Sequence, residues 1–365
     1  MAKAYPELSL STCWLSHRHE DGYAMLKEVA DLGFSYVELG HGTRVSLVPG
    51  IFKALAENLV RVSSTHNFCP LPPGVFVAAP NLFQPSSNDH RERAQWKRQT
   101  LRTVDFAHSL GVDRVVAHMG SMQFFWGNPS KSLKAARDGR TAELLAQDKD
   151  YVRQREALIK KLRKGAPKHL ARVIEGLKEI HDVCYDKQVM IGAENREGLL
   201  ELPLDEGFDA FLTEVNRELA MVGHWHDVGH AKLKEQMGFI DQQAFLEKHH
   251  ARIIGWHLHD VTPDGKDHHE IGAKDGSVDW NMIRRFIRPD QVCVLELSPR
   301  LSREQVERSR DYVLKLFDRE PIGPTVPTLT MEETADVSRN GHAASPVEGA
   351  SQRQGAAGQG TISQR

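Results

Sequence analysis

Glu194, Asp227, His257 and Glu296 each close a short apolar run. The runs are Met190-Ile191-Gly192-Ala193-Glu194, Val222 through Asp227, Ile253-Ile254-Gly255-Trp256-His257 and Val292-Cys293-Val294-Leu295-Glu296; Val115-Val116-Ala117 leads into His118 in the same way. Three carboxylates and one imidazole form a mostly hard, oxygen-rich donor set. It suits a divalent metal such as Mn, Mg, Co or Fe at least as well as Zn. Any one of them alone reads as a helix cap, an ion-pair partner or a hydrogen-bonded core histidine. All four in phase with the ends of apolar runs point to one shared cation.

Such a set can do proton chemistry. A proton next to a carbonyl is weakly acidic, and a metal on the carbonyl and adjacent hydroxyl oxygens stabilises the enediolate left on deprotonation. One carboxylate removes the proton and a second, on the opposite face, returns one; Glu194 and Glu296 are the candidates. A β leaving group would turn the same first step into a lyase or dehydratase reaction. His66, His118, His230 and Arg196 are the candidates for holding the substrate; an exposed loop ion pair is the plainer reading of Arg196. With 19 histidines in the chain, some are incidental. His224, His226 and His259 are expected to point away from the ligands, and His249, His250 and His268 to lie on the surface. Trp14, Phe68, Trp225 and Trp256 sit near run ends, where they either stack on a sugar face or pack in the core.

The elements that must position these groups alternate along the chain. Strands are expected at Leu8–Cys13, Tyr36–Leu39, Val60–Thr65, Arg114–His118, Val189–Glu194, Ala220–His226, Ile253–His259 and Val292–Leu297. Helices are expected between them: Tyr23–Leu32, Ile51–Asn58, His90–Leu110, a long stretch ending near Tyr185, Phe208–Arg217, Gln242–His250, Trp280–Phe286 and Ser302–Phe317. Apolar strands alternating with helices mean a parallel sheet, and eight repeats fit an α/β fold of the (β/α)8 TIM-barrel kind, whose chemistry gathers at the C-terminal ends of the strands. No GxGxxG follows the first strand, which removes the main dinucleotide signature. A long insertion, about 120–168, follows strand four, and its end, Tyr151–Lys168, is strongly basic. It reads as a solvated helix face, with a lid, a partner surface or an anion site as the functional alternatives. The barrel is expected over residues 1–319 and a disordered tail, rich in Pro, Gly, Ser and Gln, over 320–365.

Composition adds exclusions. The chain has 365 residues, 40% hydrophobic and 26% charged, with net charge −2. That balance argues against a nucleic-acid partner, which calls for a basic surplus. Four cysteines without CxxC spacing read as reduced, packed thiols. No run approaches the roughly 20 apolar residues of a membrane span, and the N-terminus has no apolar signal region, so a cytoplasmic protein is expected.

Over about residues 7–317 the segment order resembles the xylose isomerase-like TIM-barrel superfamily (AP endonuclease family 2), which holds sugar phosphate isomerases and epimerases and also endonuclease IV. The motifs that carry the resemblance are Asp227-x-x-His230, His257-Leu258-His259-Asp260, Asp267-x-His269-x-x-Gly272 and Leu295-Glu296-Leu297-Ser298-Pro299. The epimerase branch implies one metal held by Glu194, Asp227, His257 and Glu296, the two glutamates also serving as acid and base, and a sugar, keto-sugar or sugar acid as substrate. The endonuclease branch implies three zinc ions, with His66, His118, His230, Asp267 and His269 as further ligands, and phosphodiester cleavage in abasic DNA. The chain departs from that branch at His259, where an Asn is usual, and at Asp227-Val228-Gly229-His230, which lacks the usual Thr. An isomerase or epimerase acting on a small carbohydrate is the leading expectation and the zinc phosphodiesterase the alternative. Barrels of this kind often pair, which allows a homo-oligomer.

Overall fold

A computed structural model describes residues 5–317, apart from 125, 126 and 138. The expected tail at 320–365 and the domain boundary at 319 lie outside the described residues. Eight parallel strands form a closed barrel in sequence order: β1 Leu8–Ser11, β2 Tyr36–Leu39, β3 Arg61–His66, β4 Arg114–Ala117, β5 Met190–Glu194, β6 Val222–Asp227, β7 Ile253–Leu258 and β8 Val292–Leu295. The β1–β8 pairing, Ser9 beside Val294, closes the ring. The described helices are α1 Gly22–Asp31, α2 Val48–Ala56, α3 His90–Ser109, α4 Lys131–Arg137, α5 Ala142–Gln147, α6 Lys149–Lys178, α7 His181–Asp186, α8 Phe208–Val215, α9 Val228–Gln236, α10 Gln242–His249, α11 Trp280–Ile283 and α12 Arg303–Phe317.

Strand alternation sorts the side chains. Leu8, Leu10, Val37, Leu39, Trp256, Leu258, Cys293 and Leu295 belong to the apolar layer between barrel and helices, together with Leu26 and Val29 of α1 and Val306 and Val313 of α12. Each such fully buried side chain stabilises the fold by roughly 1.5–3 kcal/mol. The alternate positions face inward. Val116, Trp225 and Val294 pack there as a separate plug. Gly255 makes room for it, since a Cβ at Gly255 would lie 2.2 Å from the Trp225 ring. The plug floors the mouth, with the Trp225 ring 5.3 Å from the ring of His257.

The long insertion after β4 is present as α4, α5 and α6, the last capped by Asp148, which accepts from the Asp150 and Tyr151 amides at 2.9 and 3.1 Å. The basic face of α6 is largely ion-paired or solvated: Arg153 with Asp150, Arg155 with Glu156 and Arg163 with Glu206. Outside the insertion, α9 escapes the sequence pattern. α9 starts directly on Asp227 and buries polar side chains, with Lys234 ion-paired to Asp205 and Gln236 donating to Thr262 O and Ser277 Oγ. A buried face this polar carries no apolar 3.6-residue period. The four cysteines are free thiols, three of them buried. Among the described residues no helix is long and apolar enough to cross a membrane.

Candidate active site

The register of the barrel brings the predicted groups together. Asp227 pairs directly with His257 across β6 and β7, and Glu194 pairs with Trp225 across β5 and β6. The amide of Glu296 donates to Leu258 O at 3.2 Å, which holds Glu296 just past the end of β8. Ligand atoms of Glu194, Asp227, His257 and Glu296 all lie within 4.8 Å of one another. All four side chains are buried.

His257 is the hub. Its Nδ1 faces Glu194 Oε1 at 3.1 Å, Glu296 Oε2 at 3.2 Å and Asp227 Oδ2 at 3.8 Å. Its Nε2 donates to the Glu38 carboxylate, 3.2 Å from both oxygens. Burial opposes a charged ring, but Glu296 and then Glu38 outweigh it and hold the imidazole pKa well above its ordinary value. Glu38 stands on β2, fully buried, and accepts from Ser11 Oγ at 3.0 Å and Ser64 Oγ at 2.8 Å. Sequence reading missed it because its run ends in Leu39 rather than in the carboxylate. A carboxylate behind a ligating imidazole fixes the tautomer and aims the other nitrogen.

Glu194 has two distinct sides. Oε1 faces His257, whereas Oε2 lies 2.9 Å from His118 Nε2, 3.2 Å from Arg196 Nη1 and 3.5 Å from His66 Nε2. Burial pushes its carboxyl upward, yet Arg196, followed by His118, holds it well below the usual carboxylate range. Burial, reinforced by the charge of Arg196, pushes the His118 imidazole down to about 4. Its Nε2 makes no aligned hydrogen bond despite the short contact, and its Nδ1 meets Asn81 Oδ1 at 2.9 Å.

The structure changes the part expected of Arg196. Its guanidinium is occupied by Glu194, Glu197 and Glu201, so it orients Glu194 rather than offering a free fork to a substrate. Nor is it an exposed loop pair, because its side chain is only 12% exposed. His230 lies in the mouth, Nδ1 3.3 Å from Asp227 Oδ2 and 3.6 Å from Glu194 Oε1. Asp227 also caps α9, accepting from the His230 amide at 2.7 Å.

Other histidines divide by geometry. His224 and His226 point outward as expected, against Phe208 and Trp256. His259 does not. It lies two residues beyond His257, hence on the same face, and its Nε2 donates to Asp227 Oδ1 at 3.0 Å. Gly229 leaves space for this ring, since a Cβ there would lie 2.0 Å from it. His249 is buried against Phe245 and His250 is half-buried, so neither is a surface residue. His268 is half-buried too, stacked on His259 at 4.1 Å with its Nδ1 2.8 Å from Glu296 O. Asp267 and His269 join no ligand group among the described residues. The Asp260–His269 bridge turns the His269 ring to Asp275, 3.0 Å away. Trp14, Phe68, Trp225 and Trp256 are all buried, which makes them packing residues.

The residues present fit a divalent cation. Four buried carboxylates, Glu38, Glu194, Asp227 and Glu296, lie around His257, with Arg196, His118 and His66 on the other side of Glu194 and His259 on Asp227. Buried carboxylates need compensating charge, and three of them plus Nδ1 converge on one point. Of the four ligand candidates Glu296 lines a cavity of about 1010 Å³, together with Cys13, His41, His268, Phe76 and Arg300.

The family model described as xylose isomerase-like TIM barrel matches residues 26–315. No curated protein matches the sequence. Similar solved structures include a D-tagatose 3-epimerase-like protein (16% identity, TM-score 0.59, covering 86% of this chain and 97% of that one). An L-ribulose 3-epimerase is similar at 11% identity and TM-score 0.59, over 93% of this chain and 100% of that one. The 3-keto-D-glucoside 4-epimerase of E. coli is similar at 12% identity and TM-score 0.58, over 86% and 100%.

Proposed function

The chain belongs to the xylose isomerase-like TIM-barrel family, and we propose that it is a divalent-metal-dependent isomerase or epimerase acting on a sugar, keto-sugar or sugar acid. The observation that carries this reading is the convergence of Glu194, Asp227, His257 and Glu296 in one buried mouth. The epimerase names of the similar structures support the same class.

In this reading Glu194, Asp227, His257 Nδ1 and Glu296 hold the cation. When bound, it supplies Lewis-acid stabilisation of negative charge on the substrate's carbonyl and neighbouring hydroxyl oxygens. The remaining work falls to the chain. Glu296, under the open cavity, and Glu194, separated from it by the two strands that carry Asp227 and His257, are the proton-transfer pair. One takes the proton beside the carbonyl and the other returns one to the opposite face. Arg196 keeps Glu194 ionised. His66, His118 and His230 contact substrate hydroxyls. The Trp225 plug keeps water from below. Reprotonation gives an isomer or epimer; a β leaving group on the same carbon frame gives elimination instead. The three-zinc phosphodiesterase alternative finds His66 and His118 grouped with Glu194, and His230 with His259 and His268, but among the described residues Asp267 and His269 lie outside these groups, which leaves it the second reading.

Metal counting and incubation in D2O with keto-sugars and sugar acids test the proposal. Deuterium uptake at a carbon next to a carbonyl, with about one metal per chain, is expected. Three zinc ions per chain together with nicking of abasic DNA would overturn it.

A further inference from the structure

Between β3 and α3 the chain runs from residue 67 to 89 without regular secondary structure. Loops of that length inside a compact domain are commonly functional. At its crest Phe76 is 77% exposed and Val77 73%, the most exposed large apolar side chains among the described residues. The next residue, Ala78, packs beside Gly42, one residue from His41. Phe76 and Val77 line the same continuous cavity that reaches Glu296 and His41 at its base, and Pro299 and Leu301 add apolar surface to its wall.

This cavity has two chemistries. Its base holds carboxylates and imidazoles suited to hydroxyls and a carbonyl. Its lip holds Phe76 and Val77, apolar side chains kept in water where covering them is favourable, with the charged Arg44, Lys266 and Arg300 also on the lining. At about 1010 Å³ it stands at the upper end of pockets that enclose drug-sized ligands, so a lone sugar ring fills a small part of it. A ligand matching both ends has a sugar at one end and an apolar group at the other.

Building on the isomerase reading, we propose that the substrate is a keto-sugar glycoside with an aromatic aglycone, its sugar ring at Glu194 and Glu296 and its aglycone against Phe76 and Val77.

The test uses the full chain loaded with Mn²⁺, in D2O, with 3-keto-glucosides bearing either a methyl or a 2-naphthyl aglycone. The naphthyl compound is expected to show a KM lower by about ten-fold or more. That preference should collapse in the Phe76→Ser, Val77→Ser double variant. Equal KM values in the natural protein, or a preference that survives the double substitution, would overturn the proposal. So would a dimer in sedimentation that the double substitution dissociates, which would give these side chains to a second copy. If neither glycoside exchanges deuterium, equilibrium binding separates the two readings. Tighter naphthyl binding that depends on Phe76 and Val77 keeps the aglycone subsite and removes the isomerase chemistry. Equal binding of the two removes the subsite. Exchange with free ketoses, alongside equal glycoside KM values, removes the subsite alone.

Discussion

Replacing Glu38 by Gln should weaken metal binding without touching a metal ligand. Both carboxylate oxygens of Glu38 lie 3.2 Å from His257 Nε2, and Ser11 and Ser64 hold the group in place from the other side. With the cation on Nδ1, the Nε2–H must still donate, and an anionic acceptor makes the ring a stronger ligand. Glutamine keeps the shape and one acceptor but removes the charge. Loss of such a partner typically lowers metal affinity by about 10–100-fold, or about 1.4–2.7 kcal/mol. Isothermal titration of metal-free protein with Mn²⁺ measures this directly. At saturating metal the ligand-induced rise in Tm should shrink in proportion. Ser64→Ala, which removes only the hydroxyl 2.8 Å from Glu38, should give a small fraction of the effect. An affinity for Glu38→Gln within about two-fold of the natural protein would refute the reasoning, because His257 would then need no charged support.

Glu296→Gln should lower turnover by about 10²–10⁴-fold while circular dichroism and melting stay near those of the natural protein; undiminished activity removes Glu296 from proton transfer. Asp227→Ala should deplete bound metal, as measured by elemental analysis, and unchanged content refutes its ligand role. Metal affinity should rise with pH. The pKa of His257 is raised in the metal-free protein, so its Nδ1 proton must leave on binding, giving about a ten-fold gain per pH unit below that raised value. Calorimetry in buffers of different ionisation enthalpy should detect the released proton; its absence counts against Nδ1 as a ligand. His226 is buried with neither ring nitrogen partnered, and burial pushes its pKa down to about 3. The unfolded chain, titrating near 6.5, therefore binds this proton first, and its contribution to stability is lost as pH falls from about 6.5 toward 3. His226→Phe should flatten that acid limb and stabilise the fold at neutral pH by about 1–2 kcal/mol, visible in thermal melts; a lower Tm with an unchanged limb would show that the imidazole has a partner.

Much of this protein is legible locally. Runs such as Val292-Cys293-Val294-Leu295-Glu296 identify strand ends without any tertiary information. The two-residue period of a strand correctly turns His224 and His226 away from Asp227. The same period, applied from His257, puts His259 into the mouth, where it meets Asp227, rather than away from the ligands. Glu38 was not readable. A carboxylate inside an apolar strand carries no sign of its partner, and His257 lies 219 residues away; only barrel closure sets β2 opposite β7. α9 hides for a related reason, since its buried face is polar and its partners come from distant loops.

The amino-acid sequence by itself determined the alternation of strands and helices, the inward face of each strand and the acidic and imidazole groups that end them. These follow from backbone periodicity and apolar patterning, which act over a few residues. The tertiary structure alone decided that His268 rather than His269 packs against His259 and Glu296, that Arg196 is tied to three glutamates, and that Glu38 stands behind His257. Those outcomes depend on loop bridges and barrel closure, contacts between residues far apart in the chain that no local pattern records.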